Sequence, residues 1–486
     1  MKPPSFCLIL PLNPNFPEMK NCILLFAFTF LIGFSAFARK VDPETAKEAA
    51  KNFYSVNAIS AQGSNIQEIK LQLIYAENFS SGTYQVDLFY IFNVNENDGF
   101  VIISADDIVT PILGYSDEGA FSMSQISPEF KFWMDGFSNQ ILYAIDNDLK
   151  ADELTKLKWT ELFHPELKSS SKTSTSVAPL LTTRWDQGGY YNDLCPGGSV
   201  TGCVATAMAQ ILKFWNYPET GTGSKTYSPE NYGPQTADFG NTHYNWTNMP
   251  NTVTAPNLDV ATLMFHCGVA VSMHYSPSAS GAMVTLLDGS VCAESAFKAN
   301  FGYDIWTMQG LRRNHYSNSD WNDLLKNELD DARPIQYVGR GVDGHTWVCD
   351  GYDANSLFHM NWGWGGYANG YFNLNSLNPG GSSFNDAQQA LIGIQPMNFV
   401  TATTQEKLFS LHLWPNPAKE NIQISIPGNP IAGEIRIMNV FGQVVESRSG
   451  ISAPAIFDIS NFTPGFYLVE LVRADKKYHS RFLVTR

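Results

Sequence analysis

Gly198-Ser-Val-Thr-Gly-Cys-Val-Ala-Thr-Ala-Met-Ala-Gln210 is the stretch whose reading decides the fold. Val204, Met208, Ile211, Leu212 and Trp215 recur on one helical face, so a helix is expected from Cys203 to just before Pro218. Cys203 then stands at the helix N-terminus, directly after Gly202. Unpartnered backbone N–H groups carry partial positive charge there and favour an anion. Such a cysteine is expected to have a lowered pKa and nucleophilic character. Gly202 adds no side chain and is expected to let a substrate backbone approach. The competing reading is a buried structural cysteine.

Two further segments carry complementary chemistry. Gly341-Val-Asp-Gly-His345-Thr-Trp-Val-Cys-Asp-Gly351 reads as a turn followed by a strand beginning at His345, 142 residues after Cys203. Of the nine histidines, His266 and His274 sit in apolar or aromatic stretches, and the others lack this glycine-flanked setting. Phe358-His-Met-Asn-Trp-Gly-Trp-Gly-Gly366 offers an amide, Asn361, and an indole, Trp362. A catalytic imidazole needs a group to fix its ring and tautomer. Asn361 is expected to accept a hydrogen bond from it, and Trp362 to screen it from water. The competing reading is a strand end with packed tryptophans.

Taken together, these stretches resemble the streptopain family of secreted bacterial cysteine peptidases, which are papain-like. Thr201–Lys213 with Asn216-Tyr-Pro218 resembles the nucleophile helix, Gly344-His345 the histidine strand, and Asn361–Gly366 the tryptophan loop. The separation of Cys203 from His345 fits the papain-like interval. The resemblance implies Cys203 as nucleophile and His345 as proton acceptor. Arg184-Trp-Asp-Gln187-Gly-Gly-Tyr-Tyr-Asn192 resembles the segment that gives a glutamine to the oxyanion hole. Gln187 and the Cys203 backbone N–H would stabilise the negative charge of a tetrahedral intermediate. Gly344 is expected to line the substrate cleft, and Ser280 to lie on its far wall.

The charge balance excludes a nucleic-acid partner: 46 acidic against 31 basic residues give a net charge of −15, and phosphate binding needs a basic face. The apolar run Cys22–Phe34, preceded by Lys20 and followed by Ala36-Phe-Ala38, reads as a secretory signal, with Met19 a candidate start. Five of seven cysteines follow this region, an odd number that leaves at least one free thiol. They show no zinc-ligand spacing, so neither metal nor cofactor is expected.

Residues 1–38 are thus assigned to the signal region. Residues 39–168 read as one helix from Pro43, strands at Val86–Val94 and Gly99–Ser104, and a helix through Phe130, Trp133, Met134, Phe137 and Ile141. They resemble the streptopain-type propeptide, which implies a domain over the cleft; an independent accessory domain is the alternative. Residues 169–177 form a Ser/Thr/Lys-rich linker, a composition that builds no core, and maturation is expected to cut within or near residues 165–180. The peptidase domain is placed at 178–397 and a second linker at 398–404.

Residues 405–486 carry short alternating strands separated by turns, expected to form a small β-sandwich. They resemble the type IX secretion sorting domain, which implies handling by outer-membrane secretion machinery and a secreted or cell-surface location. The expected architecture is α+β: an α+β propeptide domain, a papain-like peptidase domain and an all-β sandwich. The expected function is a secreted cysteine endopeptidase made as a zymogen and acting on protein and peptide substrates. The alternatives are a Cys-His acyltransferase of transglutaminase type and a non-catalytic adhesin or inhibitor.

Overall fold

The computed structural model describes residues 40–62, 69–164, 175–339, 344–374, 388–397, 409–425, 433–439, 443–451, 454–473 and 476–485. The signal region and most of the Ser/Thr/Lys-rich linker lie outside them. The chain divides into two compact units, Met1–Phe301 with Met308–Ile394 and Gly302–Thr307 with Gln395–Arg486.

The first unit opens with α1 (Pro43–Gln62), whose first turn is capped by Asp42: Oδ1 accepts from the Glu44 and Thr45 N–H groups. Strands β1 (Leu71–Ser81), β2 (Tyr84–Val94), β3 (Phe100–Ser104) and β4 (Ile112–Ser116) follow as an antiparallel meander. β1 is absent from the sequence reading because nearly all of it is exposed or half-buried and shows no clean alternation. β3 is buried throughout, and β2 is buried along most of its length. One face packs on α1 through Ala46, Ala49, Ala50 and Phe53.

Next comes α2 (Pro128–Asp146), with Ser127 Oγ accepting from the Phe130 N–H at 3.0 Å and Pro128 in the first turn. Its buried stripe of Phe130, Trp133, Met134, Phe137 and Ile141 is the one read from the sequence. α3 (Glu153–Phe163), capped by Asp152, inserts Trp159 into the α1 side.

α4 (Cys203–Trp215) runs as expected and stops at Asn216, which adopts the left-handed conformation. A hairpin, β5 (Ser224–Tyr227) and β6 (Gln235–Asp238), precedes α5 (Leu258–Ala270) and α6 (Ala293–Asn300), with α5 packed on α4. Then follow β7 (Gln309–Arg312), α7 (Asn318–Asp330), β8 (Ile335–Gly339), β9 (His345–Tyr352), β10 (Phe358–Asn361), β11 (Gly370–Phe372) and β12 (Gln388–Ile392).

These strands form one sheet with the first four, in the order β1-β2-β3-β4-β11-β10-β9-β8-β12-β7. The join is the pairing of Tyr371 with Tyr115 and of Phe372 with Gly114. It needs Gly114, because a Cβ there would sit 2.3 Å from Phe372 Cδ1. Tyr371 and Tyr115 stack at 5.1 Å. The N-terminal meander and the later strands therefore share one hydrogen-bonded sheet.

The second unit is all β, as expected. β13 (Phe409–Ser410), β14 (His412–Trp414), β15 (Asn421–Ser425), β16 (Gly433–Asn439), β17 (Val444–Ile451), β18 (Ala455–Asp458), β19 (Gly465–Arg473) and β20 (Lys476–Val484) form two sheets. Their orders are β13-β20-β19-β16-β17 and β14-β15-β18. Ile422, Ile424, Ile435, Ile437, Phe457, Val469 and Phe482 fill the shared core.

Candidate active site

Cys203 opens α4 behind Gly202, whose φ of +86° suits glycine. A Cβ at Gly202 would meet Ser280 O at 2.7 Å and Met273 Sδ at 2.9 Å. The glycine therefore serves the packing of the 273–280 loop, where the sequence suggested room for a substrate backbone. The backbone N–H groups of Thr346 and Val204 lie against the Cys203 sulfur and favour its charged form. The Thr346 contact holds it beside the residue that follows His345 on β9.

Cys203, Gly344, His345 and Thr346 line one cavity of about 650 Å³. Gly344 keeps a φ of +51°, and β9 begins at His345 as read; the expected turn at 341–343 lies outside the described residues. Ser280 is placed differently from expectation. Its hydroxyl donates to Val200 O at 2.7 Å, with Ser276 O also near at 3.1 Å, and accepts from the Ser276 N–H at 2.9 Å. It staples its own loop, and the adjacent Gly281 and Ala282 line the cavity.

Gln187 is buried in a turn organised by Asp186, whose Oδ1 accepts from the Gln187 and Gly188 N–H groups. Its carbonyl accepts from the Thr201 N–H at 2.9 Å, which ties this turn to the residues just before Cys203. Gln187 Nε2 donates to Glu129 Oε1 at 3.2 Å. The other Glu129 oxygen accepts from Trp364 Nε1, and His345 Nδ1 lies 3.9 Å from Oε1. Phe132, one turn along α2, packs on the imidazole with ring centroids 5.6 Å apart.

Asn361 and Trp362 are buried, but they do not take the expected contacts. Asn361 Oδ1 accepts from Gln210 Nε2 and the Gly363 N–H, each at 3.2 Å, and Nδ2 donates to Thr183 O at 2.8 Å. None of these goes to His345. Trp362 donates to Ala368 O at 2.8 Å and packs among Phe130, Trp347 and Phe372. Trp364, two residues on, is the indole that reaches the Glu129 carboxylate. The repeated Trp-Gly pattern signalled two indoles without saying which one turns toward the site. Glu129 escaped the sequence reading because an acid in the first turn of a helix is ordinary dipole compensation.

The electrostatics follow this packing. Burial raises the Glu129 carboxyl to about 7, against hydrogen bonds from Trp364, Gln187 and Ser127 that favour its charged form. Burial and, after it, the Glu129 charge push the Cys203 thiol up to about 12. The helix N-terminus was expected to lower it; here desolvation and a facing carboxylate outweigh that influence. His266 is structural, bonded to Tyr244 at 2.9 Å and lowered to about 4 by burial. All five described cysteines are free thiols. Among the described residues no group of three or more His, Cys, Asp or Glu side chains is arranged to hold a metal.

Three family models match the chain: the Peptidase C10 family over residues 185–372, the Spi protease inhibitor over 38–141, and a secretion system C-terminal sorting domain over 412–485. Streptopain of Streptococcus pyogenes is 32% identical over 398 residues, covering 74% of this chain and 92% of streptopain. The thiol protease/hemagglutinin PrtT of Porphyromonas gingivalis is 31% identical over 388 residues, and the match spans 42% of its length. A fragment of Prevotella intermedia prointerpain A aligns with a TM-score of 0.53 at 31% identity, covering 66% of this chain and 98% of the fragment. A helix-terminal cysteine and a strand-borne histidine on one cavity, behind an inhibitor-like N-terminal domain, accord with sequence and fold comparison alike: the chain belongs to the Peptidase C10 family, as a secreted cysteine peptidase made in zymogen form.

Proposed function

We propose that Cys203 and His345 are the catalytic pair, with Gln187 and the Cys203 N–H as oxyanion donors. Cys203 gives its S–H proton to His345, and the thiolate attacks the scissile carbonyl carbon; a C–S bond forms as the carbonyl π pair moves to oxygen. Gln187 Nε2 and the backbone N–H hold that oxyanion. On collapse the C–N bond breaks, and His345 gives its proton to the leaving amine. His345 then takes a proton from water, which attacks the thioester and releases the acid and the thiol. Asn361 acts through Gln210 and Thr183, fixing the tryptophan loop to α4. Trp364 holds the Glu129 carboxylate through its indole N–H, while Trp362 stays packed in the core.

Glu129 carries this reading. A buried carboxylate is held by Gln187 and Trp364 beside His345, so these donors are arranged to receive an oxyanion. In the precursor α2 supplies that anion itself and lies over the site, which makes the N-terminal domain an intramolecular inhibitor. Removal of residues up to the 165–180 region would vacate the donors for substrate.

The test is incubation of the full-length precursor and its Cys203→Ala variant with reductant, following chain mass and casein hydrolysis. Wild type is expected to shorten near residues 165–180 and gain activity, and the variant to do neither. Casein digestion by the variant would overturn the assignment of the nucleophile.

A further inference from the structure

β8 ends at Gly339, which pairs in register with His345 at the start of β9. Side chains alternate between the two faces of such a ladder. Val338 and its partner Thr346 line the cavity beside Cys203. Gly339 and Trp347 belong to the other face, which α2 covers, and His345 stands at the edge in reach of both. Phe132 of α2 is seated there, with its ring 5.6 Å from the imidazole, centroid to centroid. A Cβ on Gly339 would overlap that ring, with Phe132 Cδ1 at 2.9 Å and Trp347 Cη2 at 3.0 Å.

The backbone does not ask for glycine at 339. Its φ is not positive, and a glycine within a strand marks a close approach at the expense of conformational entropy. Here the approach is that of a ring. The recess is walled by the Trp347 indole, a surface on which an aromatic occupant makes offset or edge-on contacts that an aliphatic one lacks.

The order of residues on α2 gives the recess a place along a substrate. Glu129 occupies Gln187 and Trp364, and Phe132 follows three residues later, a rise of about 4.5 Å along the helix. An extended substrate advances about 3.5 Å per residue. α2 thus presents a charge at the oxyanion donors and, about one substrate residue further on, a side chain against the histidine. His345 sets the direction. It protonates the leaving amine, so the residue that passes the imidazole is the one after the scissile bond.

We infer that the recess of Gly339, His345 and Trp347, vacated when α2 leaves, is a subsite for an aromatic side chain on the residue just downstream of the scissile bond. This rests on the proposed catalytic roles of Cys203 and His345. The leaving amine meets the imidazole while its side chain takes the place of Phe132, and Gly339 sets the depth. A phenylalanine ring buried there loses apolar contact with water that alanine does not have.

The experiment uses enzyme activated from the full chain and freed of its N-terminal fragment. Internally quenched peptides keep one sequence and vary only the residue after the scissile bond, as phenylalanine, leucine or alanine. Wild type is expected to cut the phenylalanine peptide with kcat/KM about tenfold above the alanine one and about threefold above the leucine one. Gly339→Ala is expected to bring all three within about twofold of one another, because its Cβ stands where the ring would lie. A wild-type ratio of phenylalanine to alanine near one would overturn the inference, whether or not the variant folds. So would a preference for leucine over phenylalanine. Full preference retained in Gly339→Ala would also overturn it, since the ring would then bind elsewhere. Hydrolysis of any of the peptides by the Cys203→Ala chain would instead remove the catalytic reading beneath it, an outcome separate from the wild-type ratios.

Discussion

Gln187 Nε2 donates to the Glu129 carboxylate at 3.2 Å, so the side chain expected to bind an oxyanion already holds an anion from its own chain. The same carboxylate is bonded by Trp364 and faces His345. Under the proposed function, latency and catalysis draw on one set of donors.

Substituting Gln187 should act on both. Gln187→Ala is expected to lower kcat of the activated enzyme by about 100-fold or more, with a smaller change in KM. It should also weaken the docking of α2. Steady-state kinetics and the urea midpoint of the precursor check the two effects.

The precursor should grow less stable as pH rises. Glu129 is raised in the folded chain to about 7 from an ordinary 4.5, so folding favours its protonated form. That contribution is fully present below the ordinary carboxylate range and is lost as pH climbs through about 7, a change on the order of 3 kcal/mol. The titratable groups facing Glu129 are His345 and Cys203; the Cys203→Ala background removes the thiol from both precursors compared, and His345 remains in both. Urea midpoints of the Cys203→Ala precursor between pH 4 and 8 should therefore decline, and adding Glu129→Gln should flatten the decline.

Thiol reactivity should switch on with activation. In the precursor the Cys203 thiol is pushed up to about 12 by burial and the Glu129 charge, so iodoacetamide at pH 8 should label it slowly. Once α2 has left, the Glu129 charge is gone and the helix N-terminus acts unopposed by it. Peptide mapping after timed labelling should show Cys203 modified at least tenfold faster in the activated enzyme, by this order-of-magnitude argument.

The seam between β4 and β11 should be sensitive to a single methyl group. At Gly114 an added Cβ would meet Phe372 Cδ1 at 2.3 Å, within buried backbone pairing. Gly114→Ala is expected to speed self-activation of the precursor. By contrast, Glu118→Gln removes an ion pair to Arg184 that is about half exposed on both sides, and should shift stability by less than about 1 kcal/mol. Activation time courses of the two variants compare these effects.

What the sequence made legible was local. The Cys203 helix showed in its apolar period and the His345 strand in its glycine turn. The α2 stripe from Phe130 to Ile141 was also readable. Contacts that depend on distant segments were not. Whether Trp362 or Trp364 turns toward the site depends on how the glycine-rich loop docks, and both indoles read alike in one dimension. Asn361 was assigned to His345 by chemical type, yet Gln210 and Thr183 claim its hydrogen bonds. Edge pairing of β4 with β11 is made by backbone groups that every residue carries, so no side-chain pattern announces it.

The shared sheet gives activation two separable steps. Cutting the connection between the N-terminal domain and the peptidase breaks no β4–β11 hydrogen bond and withdraws no Glu129 carboxylate. It changes the molecularity: an inhibitor held at the high effective concentration of a tether becomes a free partner governed by its own dissociation constant. Freshly cut enzyme at high concentration should stay silent, and dilution after export becomes an activating signal in its own right.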